Sequence, residues 1–399
     1  MQGADEAPSG GGERESAWLA RLGVKDFRNF DELEVQLPPE GVAIVGPNGS
    51  GKTNLLEAIY YLEIFRSFRG AADRELIRFG QDVFRVEATV RTDGASRELA
   101  AAYEGSGRRK KVEVDRREVD RLSDAIGTLG AVVFSLDDVE IVRGAPGERR
   151  RFLDILLSLV EPGYVGALQR YRSVLSQRNE ALRESGDPSL LDAWTEGLVE
   201  TGATVMAARA RWLEERSEAF GRYHRIVAGG DRATMSYEPS VGKDAVAEAP
   251  GPRASREDRE AHWGERFRSA LAASRDRERR REVTVVGPHR DEVGFRAQVT
   301  GDEERDLRTY GSGGQNRTAA LALRLVEADS LHDRLDREPI YLMDDVFAEL
   351  DRRRSRRLLE LLEDGRSGQV VVTAPKPSEV ELRGGGLETW RIEDGKLET

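Results

Sequence analysis

Hydrophobic and polar positions alternate along the first third of the chain. Leu19 to Val24, and then Leu33, Val35 and Leu37, form two runs of period two around Asp26-Phe-Arg-Asn-Phe30, which predicts strand, turn and strand. Pro38 and Pro39 end the second run. Val42, Ala43, Ile44 and Val45 form instead an unbroken apolar, β-branched run, the pattern of a buried strand. Leu55, Leu56, Ala58, Ile59 and Leu62 then recur at helical spacing. Val83 to Arg91, Arg97 to Tyr103 and Val112 to Asp115 alternate again, predicting an antiparallel meander beside the core, and Ala131 to Phe134 is one more short buried strand.

The texture changes at Gly144. From Arg149 to about Tyr223 the apolar positions follow a helical period, with turns at Pro162 and at Gly186-Asp-Pro188. Residues 228–258 are rich in Gly, Pro, Asp and Ala and predict a connection with one strand near Met235 to Tyr237. A helix over 259–282 follows, with Trp263, Phe267 and Leu271 on one face. Heptads never persist long enough for an extended coiled coil. Residues 1–17 show no periodicity and predict a disordered tail. The expected layout is an N-terminal lobe over 18–145, a helical lobe over 146–283 and a return to the core over 284–399. A chain of 399 residues suits two such lobes.

The turn between the buried strand and the first helix carries chemistry. Gly46-Pro-Asn-Gly-Ser-Gly-Lys-Thr53 fits the phosphate-binding loop G-x-x-x-x-G-K-[ST] at every constrained position. Gly46, Gly49 and Gly51 let the backbone turn its N–H groups inward, and the helix start adds its positive end. Lys52 is placed for the β- and γ-phosphates and Thr53 for Mg²⁺. Asn48, Ser50 and Asn54 complete the expected nucleotide contacts. Far downstream, Pro339-Ile-Tyr-Leu-Met-Asp344-Asp345 is an apolar strand ending in two carboxylates. Strand ends face the ligand crevice in α/β folds, so Asp344 is expected to hold the metal with Thr53, and Asp345 to orient or deprotonate the attacking water. Between them, Tyr310-Gly-Ser-Gly-Gly-Gln-Asn-Arg317 precedes an Ala/Leu helix, with Ser312 a natural N-cap. Two anion-binding helix starts and one nucleotide suggest that ATP is held between two copies. One copy supplies the loop, and the other supplies Ser312, Gly314 and Gln315.

Composition narrows the classes. The chain has no cysteine, which excludes disulfides, cysteine zinc sites and thiol catalysis. No apolar run is long enough to cross a bilayer, and the N-terminus lacks the layout of a secretion signal, so a cytoplasmic protein with no membrane partner is expected. The net charge of −11 argues against a polyanionic partner only if charge is evenly spread. Basic clusters occur at 108–111, 149–151 and 275–281, which makes Arg109, Lys110, Arg150 and Arg280 candidate contacts to a polyanion, DNA if the resemblance below holds.

The loop, the Ser-x-Gly-Gln turn and the Asp-Asp strand, in this spread along the chain, resemble the ATPase heads of the ABC superfamily. The further stretches Asp26-Phe-Arg-Asn-Phe30, Arg66-Ser-Phe-Arg69, Gly147-Glu-Arg-Arg-Arg-Phe-Leu-Asp154, Gln177-Arg-Asn-Glu-Ala-Leu182, Gly287-Pro-His-Arg-Asp291 and Phe347-Ala-Glu-Leu-Asp351 resemble the RecF family of bacterial recombination mediators. The resemblance implies an α/β ABC/SMC-type P-loop ATPase head with an antiparallel side sheet and a compact helical lobe in place of the long coiled coil. It also implies ATP and Mg²⁺ as cofactors and an ATP-dependent homodimer. The expected ligands are single-stranded DNA, double-stranded DNA and gapped junctions, with slow DNA-stimulated hydrolysis acting as a switch. RecR, with RecO, is the expected partner in loading recombinase during repair, replication restart and the SOS response. By motif match Lys52, Asp344 and Asp345 are catalytic, Asp351 lies at the dimer junction, and Arg28 lies near the nucleotide. Two departures stand out: Thr373 and Ala374 occupy the place where many ABC ATPases carry His, and Asp345 stands where many carry Glu. The alternative is the ATPase subunit of a transporter, in which the Gly-Pro-His-Arg-Asp and Arg-Arg-Phe-Leu-Asp stretches have no evident role.

Overall fold

Three strands, Gly41–Val45, Ile340–Asp344 and Val370–Ala374, are buried along their whole length. Unbroken burial is what parallel strands covered on both faces require, and it explains their apolar, β-branched composition. They form the centre of a six-stranded sheet in a computed structural model that describes residues 17–377 and 386–399, apart from 93, 185–187, 252, 301–302 and 364–367. Ala17, placed by the sequence reading at the end of the N-terminal tail, instead opens the first strand, because its side chain is buried against the core. The rest of that tail and the Gly186-Asp187 turn lie outside the described residues.

The order across this sheet is Lys396–Glu398, Glu388–Glu393, Gly41–Val45, Val370–Ala374, Ile340–Asp344 and Ala131–Ser135. All but the first of these run parallel, with Ile44 beside Thr373, Val372 beside Met343 and Asp344 beside Ser135. Their carboxyl ends are therefore level. Helix Lys52–Ile64 packs against this sheet through Leu55, Leu56, Ile59 and Leu62.

The predicted meander forms a second, antiparallel sheet in the order Phe30–Gln36, Ala17–Phe27, Val83–Thr92, Ser96–Glu104, Arg109–Val114 and Arg117–Glu118. It alternates buried and exposed positions because only one face meets the core. Phe84 locks it to the first helix, lying edge-on to Tyr61 at 5.2 Å and to Phe27 at 5.1 Å between ring centres.

The helical region comprises Pro146–Val160, Tyr164–Glu184, Pro188–Ala228 and Arg256–Arg281. Pro188–Ala228 has 41 residues, about 60 Å at 1.5 Å per residue. Its neighbours fold back along it, so it remains packed rather than projecting as a rod. The Gln-Arg-Asn-Glu-Ala-Leu stretch supplies the clasp: buried Arg178 pairs with buried Glu278 at 2.7 Å and donates to Thr284 Oγ1, while Asn179 accepts from the Thr284 N–H. A third sheet, not foreseen as a unit, pairs Ala233–Glu238 with Glu292–Thr300 and the latter with Glu303–Asp306. It draws on both sides of residue 283, because antiparallel pairing depends on alternation in two runs far apart in the chain.

Candidate nucleotide site

The loop Gly46–Gly51 leaves strand Gly41–Val45 and enters helix Lys52–Ile64 through Gly51, whose φ of 117° is the left-handed region open to glycine. Pro47, Asn48 and Gly49 are exposed at the crest, while Ser50 and Lys52 are buried. A Cβ on Gly46 would lie 2.3 Å from the Ile392 carbonyl oxygen, so the C-terminal hairpin presses directly on the loop. That hairpin also donates the Gly395 N–H to the Ser50 carbonyl. Asn29 fastens the other side, donating to the Ser50 carbonyl at 3.1 Å and accepting from Asn54 at 2.8 Å. Sequence reasoning misses Asn29 and the hairpin as loop supports. Their only signal is the tight Asp26–Phe30 turn, and nothing local links it to position 50.

Lys52 Nζ donates to the Gly46 and Pro47 carbonyls at 2.9 and 3.3 Å and lies 3.9 Å from Asp345 Oδ2. Thr53 Oγ1 donates to Asp344 Oδ1 at 2.9 Å. Level strand ends thus bring residues 291 positions apart into contact. Burial is the main force raising the Asp344 pKa, with the Asp345 charge adding to it, and the hydroxyls of Thr53 and Thr373 oppose the rise. Thr373 Oγ1 sits between the two carboxylates, 3.1 Å from Asp344 Oδ1 and 3.3 Å from Asp345 Oδ1, and accepts the Asp345 N–H at 3.0 Å. Asp345 itself has left-handed backbone, φ 48°, which turns the chain sharply at the end of the strand.

Several features match a bound nucleotide. Among the described residues the buried Ser50 hydroxyl has no hydrogen-bond partner, and Lys52 is a buried cation satisfied mainly by loop carbonyls that phosphate oxygens can replace. Thr53 and Asp344 offer two oxygens at one point, which suits Mg²⁺, a cation usually held by one or two carboxylates together with phosphates.

Ser312 caps helix Gly313–Leu335 as expected: its hydroxyl accepts the Gln315 N–H, and Gln315 Oε1 accepts the Ser312 N–H. Ser312 and Gly313 are exposed. Among the described residues no hydrogen bond joins this turn to the chain's own phosphate loop. A different link exists. Arg317 pairs with Glu349, and a Cβ on Gly314 would lie 2.6 Å from Arg354 Nη1. The segment from Asp345 to Asp351 therefore starts beside Lys52 and ends against the Ser312 helix. Asp351 accepts the N–H groups of Arg353 and Arg354, which holds its carboxyl below the usual range.

Arg28 lies beside the helix that follows the phosphate loop. It grips buried Glu57 with two hydrogen bonds of 2.8 and 3.0 Å, and Ser67 donates to the same carboxylate. Of the candidate DNA contacts, Arg109 and Arg280 are exposed. Lys110 is largely buried, held by Asp73 at 2.8 Å and by the Phe65 carbonyl. Arg150 is half-buried and donates to the Asp291 carbonyl. Its neighbour Arg149 is a core residue, paired with Glu292 and bonded to the Val142 and Gly144 carbonyls.

Residues 18–384 match the family described as the RecF/RecN/SMC N-terminal domain. A protein of Halalkalibacterium halodurans named DNA replication and repair protein RecF is 37% identical over 357 residues, covering 86% of this chain and 90% of that one. The protein of that name from Bacillus subtilis is 33% identical over 387 residues, covering 95% and 99%. A solved structure titled as the recombination mediator protein RecF with ATPrS superposes with a TM-score of 0.83 at 29% identity, covering 96% of this chain and 98% of that one. An Smc head domain from Pyrococcus furiosus superposes at 0.53 with 15% identity and shares the fold. With the phosphate loop, the paired aspartates and the Ser-capped helix all in place on an SMC-type head, the chain belongs to the RecF family of ATP-binding proteins.

Proposed function

We propose that this protein is an ATP-gated DNA clamp of recombinational repair and replication restart, acting in the cytoplasm. Two copies close on ATP, and the closed dimer holds DNA at gaps and junctions. The observation that carries the reading is the Asp345–Asp351 segment, which runs from Lys52 to an exposed, Ser-capped helix start. A change at the phosphate end is thereby coupled to the surface that would meet a second copy. In this reading Lys52 leaves the Gly46 and Pro47 carbonyls to bind the β- and γ-phosphates, while Ser312, Gly314 and Gln315 of a second copy close over the γ-phosphate. Thr53 and Asp344 would hold Mg²⁺, which when bound offsets phosphate charge. Asp345, in reach of Lys52 and fixed by Thr373, orients and deprotonates the attacking water. With a short aspartate at this place and threonine where many relatives of the superfamily carry His, hydrolysis is slow and serves as a timer. The protein acts with RecR and RecO to help load recombinase, in the setting of the SOS response.

The test is molecular mass in solution with ATP, ADP or neither, each with and without gapped DNA. A dimer that needs ATP, and that Lys52→Arg forms on DNA without turnover, is the expected result. A mass indifferent to nucleotide would refute the clamp.

A further inference from the structure

Three stretches outside the phosphate loop and the aspartate strand, Arg66-Ser-Phe-Arg69, Arg149-Arg-Arg-Phe-Leu-Asp154 and Gly287-Pro-His-Arg-Asp291, meet in the walls of one cleft. Asp154 accepts hydrogen bonds from Tyr164, Arg172 and Arg209; Arg209 donates to the Pro288 carbonyl; Arg151 donates to the Ser67 carbonyl. His289 is held neutral in the wall, its pKa pushed down to about 4 chiefly by burial, with the Tyr171 hydroxyl 2.5 Å from Nδ1 and the Thr284 carbonyl 3.1 Å from Nε2. The cleft between this wall and the antiparallel sheet has a volume of about 1330 Å³.

Its charge is one-sided. The lining carries nine Arg or Lys side chains and two carboxylates, Asp73 and Asp154, in a chain whose net charge is −11. Both carboxylates are already matched, by Lys110 and by Arg172 with Arg209. Among the described residues, Arg66, Arg74, Arg108, Arg121, Arg150 and Arg151 make no ion pair within 4 Å. Outside the cleft Arg116 is paired with Glu98, Arg149 with Glu292 and Arg275 with Asp192, while Arg109 and Arg279 to Arg281 stand on exposed surface that does not line the cleft. Clustered cations repel one another, so leaving six unpaired around one cavity costs stability unless an anion shares the site. Between the guanidinium groups the lining is apolar and aromatic, with Tyr103, Leu122, Ile155 and Leu168 among it.

We infer that this cleft binds single-stranded nucleic acid, with phosphates on the six unpaired arginines and bases against the apolar lining. The inference rests on the DNA-clamp reading and deepens it by assigning the single-stranded part of a gap to a separate site. Guanidinium forks suit phosphate oxygens and also stack on bases. A strand with one charge per nucleotide matches the spread of the arginines. An apolar and aromatic lining suits the unstacked bases of a single strand, which a duplex keeps paired inside.

The test is fluorescence anisotropy of the full chain with ATP, using labelled oligothymidylate and a blunt duplex, as a function of salt. Arg66→Glu with Arg121→Glu removes two exposed, unpaired cations, and Arg225→Glu, on an exposed position outside the cleft, is the charge control. The double variant is expected to bind oligothymidylate at least tenfold more weakly, with the salt slope smaller by about one to two. The control and the duplex affinity stay within twofold of wild type. If wild type binds the oligonucleotide and the double variant matches it, the cleft assignment is overturned while the clamp reading stands. If wild type binds neither strand nor duplex, both fall. An acidic peptide that binds the wild-type cleft where oligothymidylate does not would also overturn the assignment, and would mark the cleft as a protein-docking site.

Discussion

Replacing Thr373 with valine keeps the shape of the side chain and deletes one hydroxyl, and the structure shows what that hydroxyl holds. It accepts the Asp345 N–H at 3.0 Å and lies within 3.3 Å of an oxygen on each carboxylate. Thr373 is buried in its strand, so no solvent is at hand to replace it. An orphaned buried N–H costs about 1–3 kcal/mol, and this range is the expected loss of stability. A second effect has a definite sign. The Thr373 hydrogen bond lowers the Asp344 pKa against burial, so its loss lets the pKa rise further. In the proposed mechanism Mg²⁺ needs the ionised carboxylate, so the acid limb of ATP turnover is expected to move to higher pH. Asp345 also loses its anchor, and a turnover drop of about tenfold, or about 1.4 kcal/mol, is expected at neutral pH. Urea unfolding at constant m-value, with turnover measured across pH, reads both effects. Thr373→Ser restores the hydroxyl and the wild-type profile. A valine variant within about 0.5 kcal/mol of wild type, with a superimposable pH profile, would refute the reasoning.

Two further predictions concern the frame around the site. Glu63 is buried at the end of the first helix, accepting the Gly130 N–H, and burial pushes its pKa up from 4.5 to about 7. The folded state therefore binds this proton more tightly than the unfolded chain, and stability is lost as pH rises from about 4.5 through about 7. The gap corresponds to about 3 kcal/mol. Glu63→Gln is expected to remove this slope between about pH 5 and 8 in urea titrations, and an unchanged slope would contradict the assignment. Glu278→Ala strands the buried Arg178 guanidinium that clasps two helices, and also removes the acceptor of the Val285 N–H. A loss of about 3–5 kcal/mol is expected, read as a shift in the thermal or urea midpoint.

The phosphate loop, the aspartate strand and the Ser312-capped helix are legible in the amino-acid order because each depends on short-range chemistry. Glycine spacing, an apolar run and a cap with its Gln three residues on all act within one turn of chain. The strand at Met235–Tyr237 is legible for the same reason, but its partner Glu292–Thr300 is not, since pairing joins two runs far apart. The basic clusters show the limit most sharply. Arg149, Arg150 and Arg151 are adjacent and chemically identical, yet one is a core ion pair, one is half-buried against Asp291, and one is exposed in the cleft. A helix turns about 100° per residue, so only the surroundings of each face decide which guanidinium stays free. By itself the sequence determined that this chain can hold a nucleotide. Only the tertiary structure decided that Thr373 would stand between the two carboxylates and that six arginines from scattered segments would share one cavity, because those contacts depend on strand level and lobe packing rather than on neighbours in the chain.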